Sequence, residues 1–171
     1  MEKGILMFLI DEYKEKINNF YDLMESNKNI VDIRVSEDKW TLKEMVGHLI
    51  DSASNNHQRF IRLQIKEEIN FPVYDPEKWK DFSKIYEFGF IELINLWKGY
   101  NYYLLHLIKN IDIKYYDNKW IINDSEMTLK FIIDDYFERH MDWHIELYKN
   151  RIEEICKMEN MVSDKSHMVS N

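Results

Sequence analysis

The sequence predicts an all-α fold, a four-helix bundle in a single domain. Three observations carry this. Apolar residues recur at helical spacing over four long stretches. Four glycines and two prolines punctuate 171 residues, too few turn formers for a fold of many short strands. Hydrophobic residues make up 45% of the chain and aromatics 15%, which supports one real core and is far from the composition of a disordered chain.

The first helix is predicted over about residues 3 to 27, where Leu6, Leu9, Ile10, Tyr13, Ile17, Phe20, Leu23 and Met24 repeat on one face. "ESNKNIVDIRVSEDK" breaks that period. A second helix opens at "TLKE", where Thr41 and Glu44 form an S/T-x-x-E capping box, and it is expected to run to about Glu68. "NFPVYDPEKWKD" reads as a loop, with Pro72 and Asp75-Pro76 as stop and turn signals. The third helix is placed at about Ser83 to Lys109. "IDIKYYDNKWIINDSEM" is a longer connection with room for one short extended piece. The fourth helix is expected from about Thr128 to Lys157. Residues 1–158 are thus assigned to the bundle and 159–171 to a polar, frayed tail. "TLKEMVGHLIDSASNNH" and "TLKFIIDDYFERHMDWH" echo one another, each with a histidine sixteen residues after its threonine. The echo suggests two related hairpins, although "TLK" is a generic helix start.

Charge and composition exclude several roles. A formal charge of −8 and a pI near 5.3 argue against a nucleic-acid surface, which needs a basic stripe, and against docking on anionic lipid. No apolar run approaches a membrane span, and "GILMFLI" is short, acidic on its C-terminal flank and without a small-residue cleavage site. The one cysteine, Cys156, cannot form an internal disulfide and suits a reducing compartment. A soluble cytoplasmic protein is the expectation.

The histidines carry the chemistry. At about 100° per residue, Leu129, Ile133, Phe137, His140, His144, Leu147 and Arg151 share one stripe of the fourth helix, with Glu138, Asp142 and Lys149 opposite. His140 and His144 therefore look inward. Their four-residue spacing lets both rings reach one metal ion, and it suits a hydrogen-bonded polar pair in the core equally well. On the second helix His48 borders the apolar seam within a polar stripe of Glu44, Ser52, Asn55 and Arg59. That stripe is either a solvated face or a pocket wall, with His48 as third ligand and Arg59 available for an anion. His57 points about 180° away from His48 and reads as a surface or interface histidine. His106 and His167 are expected to ligate nothing.

Three segments then resemble one family. "KWTLKEMVGHLIDSASNNHQRF" is similar to the W-[ST]-x-x-[EQ]-x-x-x-H-L-x-D-S segment, with downstream arginine, of the DinB superfamily, above all its YfiT-like, bacillithiol-transferase branch. "YDPEKW" resembles that branch's Y-D-x-x-x-W loop. "SEMTLKFIIDDYFERHMDWHIEL" resembles its last helix, with H-x-x-x-H-I. The resemblance covers about Arg34 to Arg151. It implies a four-helix bundle binding a divalent metal, zinc or nickel, through three histidines, which carry over to His48, His140 and His144. Phe137 and Met141 stand where the branch often has further histidines.

Three neutral histidines leave a metal with its charge and with open coordination positions. Two reactions follow. The resemblance implies thiol S-transfer, in which a low-molecular-weight thiol attacks an electrophilic small molecule. The other is hydrolysis by water activated at the metal, which wants a carboxylate base. Asp51, one turn from His48, is the candidate, and it is also placed to orient His48 or Arg59. Asp51 and Arg59 are the expected catalytic pair. A metal-binding stress-response bundle without turnover is the non-enzymatic alternative, and a purely structural protein would bind no metal. Tyr74, Asp75 and Trp79 are candidates for the site mouth. The plainer reading, which the sequence favours, is a packed turn with Asp75-Pro76 opening a short helix and Trp79 covering the bundle end. Ile50, Ile61 and Ile65 lie off the main seam and mark either a homodimer face or contact with a further helix.

Overall fold

The structure is a computed structural model that describes residues 2–123 and 125–168, with side chains for 9–123 and 125–161. The bundle is built from α1 (Glu2–Ser26), α2 (Leu42–Ile65), α4 (Phe90–Asn110) and a last helix in two segments, α5 (Leu129–Asp135) and α6 (Met141–Met168). A short α3 (Pro76–Ser83) and a small sheet of β1 (Glu68–Asn70), β2 (Lys119–Ile122) and β3 (Ser125–Thr128) complete it. α4 packs against both α1 and α2, and α2 meets α5 and α6. No described helix is long and apolar enough to cross a membrane.

The core is aromatic at its centre. Phe20 of α1 meets Trp97 of α4 edge-on at 5.2 Å and Tyr148 of α6 at 5.3 Å. All three are sealed from solvent, and each large apolar side chain so buried contributes roughly 1.5–3 kcal/mol. Between α1 and α6 lies an open groove of about 550 Å³ lined by Glu12, Lys16, Phe20, Ile145 and Lys149.

Local chemistry explains where the elements begin. The capping box at α2 forms in full: the Glu44 backbone N–H donates to Thr41 Oγ1 at 3.2 Å, and the Thr41 N–H donates to Glu44 Oε2 at 2.8 Å. α3 opens at the Asp75 cap with Pro76 behind it, as the plainer reading of that loop expected. Lys84, at φ 49°, ends α3 and delays α4 to Phe90, later than the predicted Ser83.

Other boundaries differ from expectation. α2 stops at Ile65, short of Glu68, because Glu68–Asn70 is drawn into the sheet. β1 pairs parallel to β2, with Ile69 opposite Trp120, and β2 pairs antiparallel to β3, with Trp120 opposite Met127. The connection before the last helix thus holds two strands and supplies the centre of a three-stranded sheet, where one short extended piece was expected. α6 runs on to Met168, past Lys157, through a stretch with no glycine or proline to stop it. The side chain of His167 lies outside those described.

α5 and α6 join through a π-helical turn, Tyr136–His140, a feature that often marks functional sites. Two residues of α1 brace it. Lys16 Nζ donates to the Phe137 carbonyl at 3.2 Å, and the Tyr13 hydroxyl donates to Glu138 Oε1 at 2.9 Å. Phe137 and Met141 are core residues, and Phe137 stacks on Tyr13 at 5.0 Å.

Candidate metal centre

His48 on α2, His140 at the end of the π turn and His144 on the first turn of α6 converge. One ligand atom from each lies within 4.8 Å of the others. The Nε2 atoms of His140 and His144 are 3.2 Å apart. Two ligands about 2.05 Å from a tetrahedral ion would be separated by roughly 3.3 Å, so the spacing fits shared coordination. The His48 ring centroid lies 4.9 Å from that of His144 and 6.2 Å from that of His140.

Burial keeps these rings neutral, as ligation requires. Desolvation, reinforced by His140, pushes His48 down to about 4. Desolvation likewise lowers His144, with His140 and His48 adding to the shift. Burial lowers His140 against the opposing pull of Asp135. The donor set therefore fits a divalent metal ion.

The surroundings orient the three rings. Tyr74 Oη lies 3.3 Å from His48 Nδ1, leaving Nε2 for ligation. Trp40 stands edge-on to His48 at 5.5 Å, its own indole N–H donating to Glu77 Oε1 at 2.8 Å. Arg151 on α6 donates to the Trp40 carbonyl and ion-pairs with Glu154 at 2.9 Å, tying the start of α2 to the last helix. Tyr136 stacks on His140 at 5.9 Å, and Trp143 flanks His144 at 4.5 Å. Gly47 lets the turn at Ile85 approach α2 beside His48, for a Cβ there would meet Ile85 Cγ1 at 2.7 Å. His144 Nδ1 is buried with no partner among the described residues.

The polar stripe of α2 is buried, so the solvated-face reading fails: Glu44, Ser52, Asn55 and Arg59 are all inside. Beside the trio lies a cavity of about 180 Å³ lined by Ser52, Asn56, Arg59, Tyr74, Trp120 and His140. Asp51 is half-buried, and desolvation pushes its carboxyl up to about 6. Its side chain makes no hydrogen bond to His48 or Arg59 among the described residues, although its charge is felt at Tyr74. Trp79 packs against Tyr74 with ring centroids 4.8 Å apart and planes tilted by 48°. The loop is a capped short helix that also delivers Tyr74 to His48, while Trp79 itself stays 40% exposed and does not seal the bundle end. Asp75 serves its helix cap. His57 faces the other side of α2, its Nδ1 3.1 Å from the Tyr100 hydroxyl. Ile65 is exposed, while Ile50 and Ile61 are partly covered.

Sequence reasoning missed Trp40, Asn56, Trp120 and Tyr136, and it weighted Tyr74 towards a packed turn. Tyr136 was within reach of the helical arithmetic, four residues before His140. Trp120 comes from a distant segment and carries no local signal. Replacing Tyr74 with phenylalanine is expected to weaken zinc affinity about 10–100-fold, the usual effect of losing an outer partner of a ligating histidine. Chelator competition reads this, and circular dichroism should stay unchanged.

The fold has a solved counterpart. The chain superposes on YfiT from Bacillus subtilis, described as a probable metal-dependent hydrolase with an unusual four-helix bundle topology, with a TM-score of 0.69 and 19% identity over 88% of this chain and 87% of that one. At that identity the likeness establishes the four-helix bundle fold. No protein-family model and no curated protein sequence matches the chain.

Proposed function

We propose that His48, His140 and His144 hold a divalent metal ion, zinc or nickel, and that the protein is a metal-dependent enzyme transferring a low-molecular-weight thiol to a small electrophile. One observation carries the reading: three imidazoles from two helices bring ligand atoms within 4.8 Å of one another where burial keeps them uncharged. A divalent ion on neutral ligands keeps its full charge and, when bound, acidifies a coordinated thiol or water. The chain's own residues supply position and shelter. Tyr74 fixes the ring of His48, Tyr136 that of His140, and Trp40 and Trp143 flank His48 and His144. The adjoining cavity is the place for the electrophile, against the apolar wall that Met127 and Ile132 supply. The bacillithiol-transferase resemblance of the three motifs supports a thiol as first substrate.

A second reading, hydrolysis, has its own support. Asp51 is a half-buried carboxylate without an ion-pair partner among the described residues, held near 6, one turn from His48. Such a group suits a general base. The structural likeness to a probable metal-dependent hydrolase points the same way.

The test is elemental analysis of tag-free protein beside a His140→Ala, His144→Ala double variant, followed by assays of both reactions. Near-stoichiometric metal in the parent alone is expected, with metal-dependent consumption of bacillithiol or mycothiol by monochlorobimane. Thiol-independent cleavage of p-nitrophenyl acetate, lost in Asp51→Asn, would favour hydrolysis. Metal without either turnover would leave a binding bundle. A parent that refuses added zinc and nickel sinks the metal reading altogether.

A further inference from the structure

We infer that Arg59, stacked on Trp120, recognises the carboxylate of a small acid whose apolar body fills the cavity beside His140. This deepens the metal-dependent reading, on which it rests only for what happens at the acid's far end.

Arg59 is 8% exposed. Its Cζ lies 3.8 Å from the centroid of the Trp120 ring, which covers one face of the guanidinium. Nη1 donates to Asn56 Oδ1 at 3.1 Å, and Nε is buried with no acceptor. Among the described residues no carboxylate pairs with it. The contrast with the other buried arginine is direct: Arg151, 7% exposed, holds Glu154 at 2.9 Å. Asp135 lines the same cavity, but its carboxylate is taken by Arg139 at 2.5 Å. The cavity thus presents a cation that its own walls leave unpaired, a costly arrangement unless an anion completes it.

The geometry selects the anion. With one face covered by Trp120, the guanidinium can be satisfied only through its in-plane N–H fork, which matches the two oxygens of a carboxylate. Met127, Phe131, Ile132 and the ring of Tyr136 form the rest of the wall and favour a hydrocarbon body. At about 180 Å³ the space is below the ~300–1,000 Å³ of drug-sized sites, which restricts the ligand to a small acid. Because His140 lines the same cavity, the end of the acid remote from Arg59 lies towards the histidine trio. A purely structural Arg59, clamping α2 to the sheet through Trp120, would bind nothing.

Benzoate and its neutral isostere benzamide separate these cases. Titration calorimetry and thermal shift on the full chain, stripped of metal by chelator, should show saturable benzoate binding. Benzamide should bind at least about tenfold more weakly, since a neutral amide lacks the charge that the fork pairs with. Arg59→Lys, which keeps the charge but not the fork, should also lose at least about tenfold, and Arg59→Gln should lose binding altogether. The parent's benzoate–benzamide contrast needs no variant, so a misfolded Arg59→Gln leaves the test intact. Equal binding of the two probes, benzoate binding untouched in a folded Arg59→Lys, or no benzoate binding would overturn the inference. Displacement of benzoate by inorganic phosphate at lower concentration would overturn the carboxylate assignment. Absence of zinc uptake with benzoate binding intact defeats the metal reading alone, and zinc uptake without benzoate binding defeats this inference alone.

Discussion

Replacing His144 with alanine is expected to abolish stoichiometric retention of zinc or nickel while leaving the metal-free protein folded. His144 is the most enclosed of the three histidines, 4% exposed, and its Nε2 lies 3.2 Å from that of His140. Losing it leaves two donors on two helices. The loss of affinity should exceed the ~10–100-fold that follows removal of an outer-shell partner. In the metal-free protein the same change has opposing terms. Truncation leaves a small cavity, but it also removes a buried Nδ1 with no partner among the described residues. The net change in metal-free stability should therefore be modest, within about 2 kcal/mol. The metal-loaded protein loses in addition the whole stabilisation that mass action gives a ligand of the native state. Competition with a chromophoric chelator and melting with and without zinc read both quantities. His57→Ala, on the far side of α2, should retain metal. Parental affinity in His144→Ala would remove His144 from the site.

Acid should destabilise the metal-free protein in a window set by the same histidines. In the unfolded chain each titrates near 6.5. In the fold His48 is pushed down to about 4, and His140 and His144 are lowered too. Between pH 6.5 and about 4 the unfolded chain takes up protons that the folded chain refuses. Stability is therefore complete above pH 6.5 and falls as pH falls through that window. His48 alone accounts for something on the order of 3 kcal/mol by pH 4, with the other two acting in the same direction. Asp51 opposes them: its raised carboxyl takes a proton in the fold near pH 6, before the unfolded chain does. Its half-exposed position lets solvent screen that offset. Urea midpoints of chelator-treated protein from pH 7 to 4.5 should fall, and the slope should flatten in the His140→Ala, His144→Ala variant. An equal slope in both proteins would mean that the rings are not the titrating groups.

The helices were legible because their signals are local. The capping box at Thr41 and Glu44, the Asp75-Pro76 start and the apolar seams lie within a few residues of what they control, and each appears in the structure. The inward face of His140 and His144 followed from arithmetic on one helix. The placement of His48 beside them followed from the same arithmetic on α2 together with the resemblance to a known family. The π turn at Tyr136–His140 was not legible, because its bracing contacts come from Lys16 and Tyr13, more than a hundred residues upstream.

What the sequence determined by itself is the class of fold and the histidines on offer, since helix periodicity and residue chemistry are properties of neighbouring positions. What only the tertiary structure decided is which distant groups complete the site. Tyr74 meets His48 because α3 folds back over α2. Trp120 meets Arg59 because β2, held against β3 in a local hairpin, also pairs with β1 some fifty residues upstream. The same packing turned the polar stripe of α2 from a solvated face into a buried wall, and burial is what leaves three neutral imidazoles together and an unpaired guanidinium in the cavity that His140 also lines. Desolvation depends on everything packed around a group, so no reading of a single segment could assign it.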